Sequence, residues 1–195
     1  MIKLIVFDMA GVLTSSWEFV PCILKETKID YNLFNQIMRS DYDNFLKGII
    51  TSDEFWDLFN KKTGKKVSEN LFIKCFNPVL NYELIEYVKN NIDISIKKVI
   101  GTNAPLDHYL IHKERGDYKY FDKVYCSSSI GYKKPEENFF IHIIKNERIL
   151  PEEVLYFDDN GNYVQVSKDI GINGFHYKGF SSFKEAIENF NILNK

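Results

Sequence analysis

Apolar residues run without a break through Leu4, Ile5, Val6 and Phe7 and stop at Asp8. A run with no polar alternation predicts a central strand covered on both faces. From about residue 17 to residue 75 the pattern changes to helical periodicity, and no stretch there reads as a buried strand. Residues 31–39 and 52–62 predict amphipathic helices, the second capped by Ser52 or Asp53 and ended by Gly64. After Pro78 strands and helices alternate. Helices are expected at 79–90, 105–115, 135–146, 163–170 (ended by Gly171) and 181–189, and strands at 97–102, 123–127, 154–158 and 174–177.

Strands that alternate with helices of about 10–15 residues imply βαβ units and a parallel sheet. The expected fold class is therefore α/β, a three-layer Rossmann-like core to which the first strand also belongs. The helical block is an insertion between that strand and the rest, with edges near 14–17 and 76–80. The expected division is a core of residues 1–15 and 80–195 and a helical cap domain of residues 16–79. No internal repeat or low-complexity segment interrupts it.

Composition narrows the partners. The chain has 195 residues, 45% hydrophobic and 27% charged, with a formal net charge of −2. That balance lacks the basic footprint of a nucleic-acid binder. No apolar run approaches the roughly 18–20 residues of a membrane span. The first apolar stretch is too short for a signal peptide. Cys22, Cys75 and Cys126 stand far apart, in no metal-binding spacing, which argues against a disulfide framework. They are expected to pack as small hydrophobes in a protein of the reducing cytoplasm. The oligomeric state is not legible.

In open parallel sheets ligands bind beyond the carboxyl ends of the strands. The first strand there presents Asp8, followed by Ala10 and Gly11. The second presents Thr102 and Asn103, the third leads to Lys133 and Lys134, and the fourth to Asp158, Asp159, Asn160, Gly161 and Asn162. Three carboxylates gathered on one rim repel one another unless a cation neutralises them. The donors are all oxygen, which suits a hard ion such as Mg2+. A lysine among them asks for an anionic substrate, a phosphate first of all. A carboxylate beside metal and phosphate can act as a covalent nucleophile.

The segments IVFDMAGVL at 5–13, VIGTN at 99–103, GYKKPEENFF at 131–140 and LYFDDNGN at 155–162 come in a telling order. In that order, and over essentially the whole chain, they resemble the haloacid dehalogenase (HAD) superfamily of phosphohydrolases. The resemblance implies a five-stranded sheet of order 3-2-1-4-5 and a small helical cap that closes over a small phosphorylated metabolite. It implies that Asp8 is the nucleophile and that Thr102, with Asn103 nearby, binds the phosphate oxygens. Lys134 would neutralise charge on nucleophile and phosphate. Mg2+ would be held by Asp8, Asp158, Asp159 and the backbone carbonyl of Ala10.

One position departs from the family's pattern. The usual first motif is Asp-x-Asp, and here Ala10 replaces the second Asp, which normally protonates the leaving oxygen and later activates water. Such acid–base catalysis is worth about 10²–10⁴-fold. Three readings follow. A phosphatase can tolerate the loss if its leaving group has a low pKa, as in sugar 1-phosphates, acyl phosphates and aryl phosphates. Some sugar-phosphate phosphatases of the superfamily do carry a small residue here. Phosphonoacetaldehyde hydrolases share the Asp-x-Ala motif but need a cap lysine, for which Lys25, Lys28 and Lys47 are candidates outside the expected motif. A non-catalytic phosphate-binding or regulatory protein would need no acid, yet would not need Asp8 either.

Each residue also has a plainer role. Asp8 could be a turn residue, Thr102 an N-cap for the helix from Pro105, and Asn160 and Asn162 turn-formers around Gly161. The family's Asn after the paired Asp falls here on Tyr163. Lys133 reads as a solvated neighbour of Lys134. His108 and His112 share a helix face but have no third ligand, so packing is the expected role; His108, or the second Asp of the pair, could stand in for the missing acid. Trp17, Phe19, Phe55, Trp56 and Phe59 form an aromatic group, most of it for packing the inserted helices.

Overall fold

In the computed structural model, which describes residues 1–16 and 18–194, β1 (Leu4–Phe7) is the middle strand of a five-stranded sheet. Trp17 lies outside the described residues. β1 pairs in parallel with β4 (Lys97–Thr102) on one side and β6 (Val154–Asp158) on the other. Outside them lie β5 (Lys123–Cys126) and β7 (Asn173–His176), also parallel. The order β5-β4-β1-β6-β7 is the expected 3-2-1-4-5 once the strands of this sheet are counted alone.

The sheet is covered on both faces, as the apolar runs require. Leu4, Ile5, Val6 and Phe7 are all buried. Ile5, Phe7, Leu155 and Phe157 pack with Leu84, Ile85 and Val88 of α5 (Tyr82–Asn91) and Phe183 and Ile187 of α10 (Phe180–Ile187). The alternate residues Leu4, Val6, Val99 and Tyr156 face Phe139, Phe140 and Ile143 of α8 (Glu137–Glu147) and Val164 of α9 (Gly161–Asp169). The period-two alternation of a strand sends neighbours to opposite layers.

Four helices are inserted between β2 (Thr14–Ser16) and β3 (Val79–Leu80): α1 (Val20–Thr27), α2 (Tyr31–Leu46), α3 (Ser52–Thr63) and α4 (Leu71–Lys74). They have an apolar cluster of their own, with Phe34, Phe45, Phe55, Trp56, Phe59 and Phe72 at its centre. Thr51, not Ser52 or Asp53, caps α3. Its side chain accepts from the Glu54 N–H while Glu54 accepts from the Thr51 N–H at 2.7 Å, and this reciprocal box selects among three adjacent capping candidates. Gly64 ends the helix as expected.

Two further differences concern this insertion. Residues 79 and 80, expected as helix, instead form β3, which pairs antiparallel with β2 as a two-stranded ribbon. Asn81 secures the ribbon by donating to the Val12 carbonyl at 2.9 Å, and its side chain caps α5. Cys22 and Cys75, expected as separate thiols, are joined by a disulfide across 53 residues, while Cys126 is free and buried. The bond joins α1 to the end of α4, a proximity made by helix packing that no spacing reveals. On the core side, α6 (Leu106–Glu114) follows β4, and the short α7 (Ser127–Ile130) stands where the third core strand was expected to extend. No described helix is long and apolar enough to cross a membrane.

Candidate active site

The register of the sheet brings the expected carboxylates together. Phe7 lies opposite Phe157, so the next residue on each strand is an aspartate, and the Asp8 N–H donates to the Phe157 carbonyl at 2.9 Å. β1 lies between β4 and β6, where connections leave toward opposite edges, and the crevice at the carboxyl ends opens there. Asp8, Asp158 and Asp159 each present a carboxylate oxygen within 4.8 Å of the others.

Lys134 links two of them. It is completely buried, with Nζ 2.8 Å from Asp8 Oδ1 and 2.6 Å from Asp158 Oδ2. Burial works against its charge, but Asp8 and Asp158 hold the ammonium above its ordinary value. Asp158 is fixed on every side: Tyr156 donates its hydroxyl to Oδ2, and the Asn160 N–H donates to Oδ1 at 2.8 Å. On Asp8, Oδ1 also accepts the Met9 N–H at 2.7 Å, while no described group hydrogen-bonds Oδ2. Burial pushes the Asp8 carboxyl up to about 7, against the pull of Lys134 and with the Asp158 and Asp159 charges adding.

Three carboxylates face one ammonium, so negative charge is in excess. Gly11 adds a spatial condition. It turns at φ +77°, and a Cβ there would lie 2.3 Å from Asp159 Oδ2. The turn after β1 thus leaves room for the Asp159 carboxylate to lean toward Asp8. Oxygen donors, excess negative charge and this cradle fit a hard divalent cation.

The other expected residues are divided. Asn103 does not point free into the basin. Its Nδ2 donates to the Lys134 carbonyl and its Oδ1 accepts the Lys134 N–H, both at 2.8 Å, just before the cis Lys134–Pro135 bond. Thr102 is buried, caps no helix, and lines a second cavity rather than the basin of Asp8; Pro105 occupies the N-cap of α6 without a side-chain bond. Lys133 is not merely solvated, since it pairs with Asp43 of α2 at 3.2 Å. Asn160 caps α9 by accepting the Asn162 N–H, the turn-forming role. His108 and His112 bind packing partners, not metal: His108 Nε2 donates to the Phe72 carbonyl at 3.2 Å, and His112 Nδ1 meets Asp117 at 2.7 Å.

Tyr163 and His176 also line the basin, and sequence reading did not assign them to it. The Tyr163 ring lies 5.4 Å from the Lys134 ammonium. His176, at the end of β7, engages the Asp159 carbonyl through Nε2 at 2.9 Å. The signal for His176 was its position at a strand end one place beyond the last motif. Phe19 lines the second cavity, whereas Phe55, Trp56 and Phe59 are packed within the inserted helices.

Comparison with known proteins identifies the family and the fold. The family model for haloacid dehalogenase-like hydrolases matches residues 2–171. A D-ribitol-5-phosphate phosphatase of Bacteroides thetaiotaomicron is 22% identical over 96% of this chain and 97% of the relative. A sesquiterpene phosphatase of Aspergillus oryzae is 22% identical over 89% of each chain. A HAD family enzyme of B. thetaiotaomicron, solved with magnesium and inorganic phosphate, has the same fold, with a TM-score of 0.75 at 22% identity over 91% of this chain and 95% of that one.

Proposed function

The chain belongs to the haloacid dehalogenase-like hydrolases, and within that family we propose that it is a Mg2+-dependent phosphatase of a small phosphorylated metabolite. The observation that carries this reading is Lys134 held between Asp8 and Asp158, with Asp159 alongside and Asp8 Oδ2 unengaged. Asp8 is the nucleophile and forms an aspartyl phosphate that water then hydrolyses. Lys134 offsets charge on Asp8 and the incoming phosphate, and Asn103 fixes the chain that carries it. Asp8, Asp158, Asp159 and the Ala10 carbonyl would hold Mg2+, which would supply further charge neutralisation. The expected contact of Thr102 with the phosphate is not supported, since Thr102 lines the second cavity and not the basin. Positioning and electrostatic stabilisation are most of what phosphoryl transfer needs.

Residues 16–79 act as the cap domain over a core of residues 1–15 and 80–195, and the separate apolar cluster of the inserted helices supports that division. The sugar-phosphate class is supported by the ribitol phosphate specificity in the name of one relative. Phosphonate chemistry is less well supported, since none of Lys25, Lys28 and Lys47 lines either cavity and Lys47 is paired with Glu136. A non-catalytic role leaves the free Asp8 oxygen unexplained. A cytoplasmic location suits a metabolite phosphatase, and the Cys22–Cys75 bond is the feature that stands against it. The deciding experiment is phosphate release from a panel of monoesters with and without Mg2+. Turnover that requires Mg2+ and disappears in Asp8→Asn is expected; identical rates for Asp8→Asn and the parent would sink the reading.

A further inference from the structure

Two cavities meet at the rim of the sheet. One is the open basin of Asp8, Lys134 and Asp159. The other, of about 220 Å³, lies between the inserted helices and the core. Ala10, Asn103 and Tyr163 line both, so they form the passage from one to the other. A phosphate in the basin therefore directs its organic part past Ala10 into the second cavity.

That cavity is walled by rings and aliphatic groups: Phe19, Tyr42, Leu46, Phe76, His108 and Tyr118. Phe76 and His108 stack face to face, with centroids 3.6 Å apart and planes 7° from parallel. No carboxylate or ammonium lines it, and its polar side chains Thr14, Asn103, His108 and His112 already hydrogen-bond within the protein, which is a poor match to a polyol whose hydroxyls each need a partner. An apolar cavity of about 150 Å³ accepts benzene, so this one accommodates a substituted ring. Tyr118 contributes to this wall as well, while its hydroxyl is buried and makes no hydrogen bond among the described residues.

We propose that the substrate is an aryl phosphate, its ring seated between Phe19, Phe76 and Tyr118. Ala10 then has two effects. It keeps a carboxylate out of the way to the ring-lined cavity, and it is compatible with a leaving group that needs no acid. As Asp8 forms its bond to phosphorus, the aryl oxygen–phosphorus bond breaks. Phenoxide, conjugate base of an acid of pKa about 10, departs with the electron pair and takes a proton from water. An alkoxide could not depart so readily.

This inference rests on the phosphatase reading, and one set of assays separates the two. Phenyl and benzyl phosphates, ribitol 5-phosphate and glucose 1-phosphate are compared with Mg2+, using the parent, Asp8→Asn and Ala10→Asp. Phenyl and benzyl phosphates share the ring and differ in leaving group, so kcat/KM is expected to favour phenyl by about 10²-fold or more. Ala10→Asp should shrink that ratio. Benzyl phosphate should have a KM about tenfold below that of ribitol 5-phosphate, from ring burial alone. Asp8-dependent turnover that is as good or better on ribitol 5-phosphate as on the aryl esters overturns the aryl assignment and leaves the phosphatase standing. No Asp8-dependent turnover of any ester overturns both.

Discussion

Asn103 and Lys134 hold each other through a closed pair of hydrogen bonds, the side-chain amide of one matched to the backbone N–H and carbonyl of the other, both 2.8 Å long. The residue that ends one strand thereby sets where the buried lysine of another loop begins. Asn103→Ala should leave the fold intact and lower kcat by about 10²-fold, as expected when a charged group is displaced by about 1 Å. KM should change far less. Asn103→Asp, which keeps one acceptor but repels the Lys134 carbonyl, should restore little. Steady-state kinetics on a turned-over ester checks this; a large rise in KM with kcat unchanged would instead make Asn103 a direct phosphate ligand.

Gly11 and Gly64 separate crowding from backbone strain. Both have positive φ, +77° and +68°, but a Cβ at Gly11 meets Asp159 Oδ2 at 2.3 Å while one at Gly64 meets nothing within 4 Å. Each Ala variant should lose on the order of 1 kcal/mol of stability from the left-handed backbone. Only Gly11→Ala should weaken Mg2+ activation, because only it displaces a carboxylate of the site. Magnesium titrations of activity, alongside urea melts, test the contrast.

His108 makes the protein sensitive to acid. Burial lowers its pKa from 6.5 to about 3, against a hydrogen bond to the Phe72 carbonyl. The unfolded chain therefore binds more protons than the native one between these values, and stability falls as pH drops below about 6.5. At pH 5 this single group should cost about 2 kcal/mol relative to pH 7.5. His112, also lowered by burial, acts in the same direction. In His108→Phe the decline should be shallower, so that the variant, less stable than the parent at pH 7.5, draws level or ahead at pH 5. Parallel curves in urea melts at the two pH values would refute the assignment.

The Cys22–Cys75 bond closes a 53-residue loop. Loop-closure entropy assigns such a link about 4 kcal/mol. Replacing both cysteines by serine should lower the unfolding free energy toward that extent, and reductant should reproduce the loss in the parent. Unfolded, unreduced protein should titrate a single thiol, Cys126. Three thiols without reductant would mean that the bond does not form in the cell that made the protein.

These cases show what was readable in advance. Strands β1 and β6 were legible as apolar runs and the others from their place between helical stretches, and 97–102 and 154–158 coincide with the observed β4 and β6. The carboxylate cluster was legible because those runs end in aspartates and parallel register then places the ends together. Val79 and Leu80 were not, since two residues carry no periodicity and their strand exists only because Thr14–Ser16 lies opposite. Tyr118 and His176 were missed for a related reason. Neither belongs to a motif, and each reaches a cavity through the path of the chain around the sheet. The roles of Asn103 and Thr102 depended on side-chain direction, which strand-end position does not specify.

The ribbon of β2 and β3 has one more implication. The chain departs for the inserted helices and returns from them along two paired strands, Thr14 beside Leu80 and Ser16 beside Val79. Those helices also keep their own apolar centre. A segment joined at a single narrow neck can be lengthened, trimmed or exchanged without disturbing strand register in the sheet. Inheritance can thus alter which molecules are admitted while the reacting aspartates stay where they are, and the two properties can evolve on separate schedules.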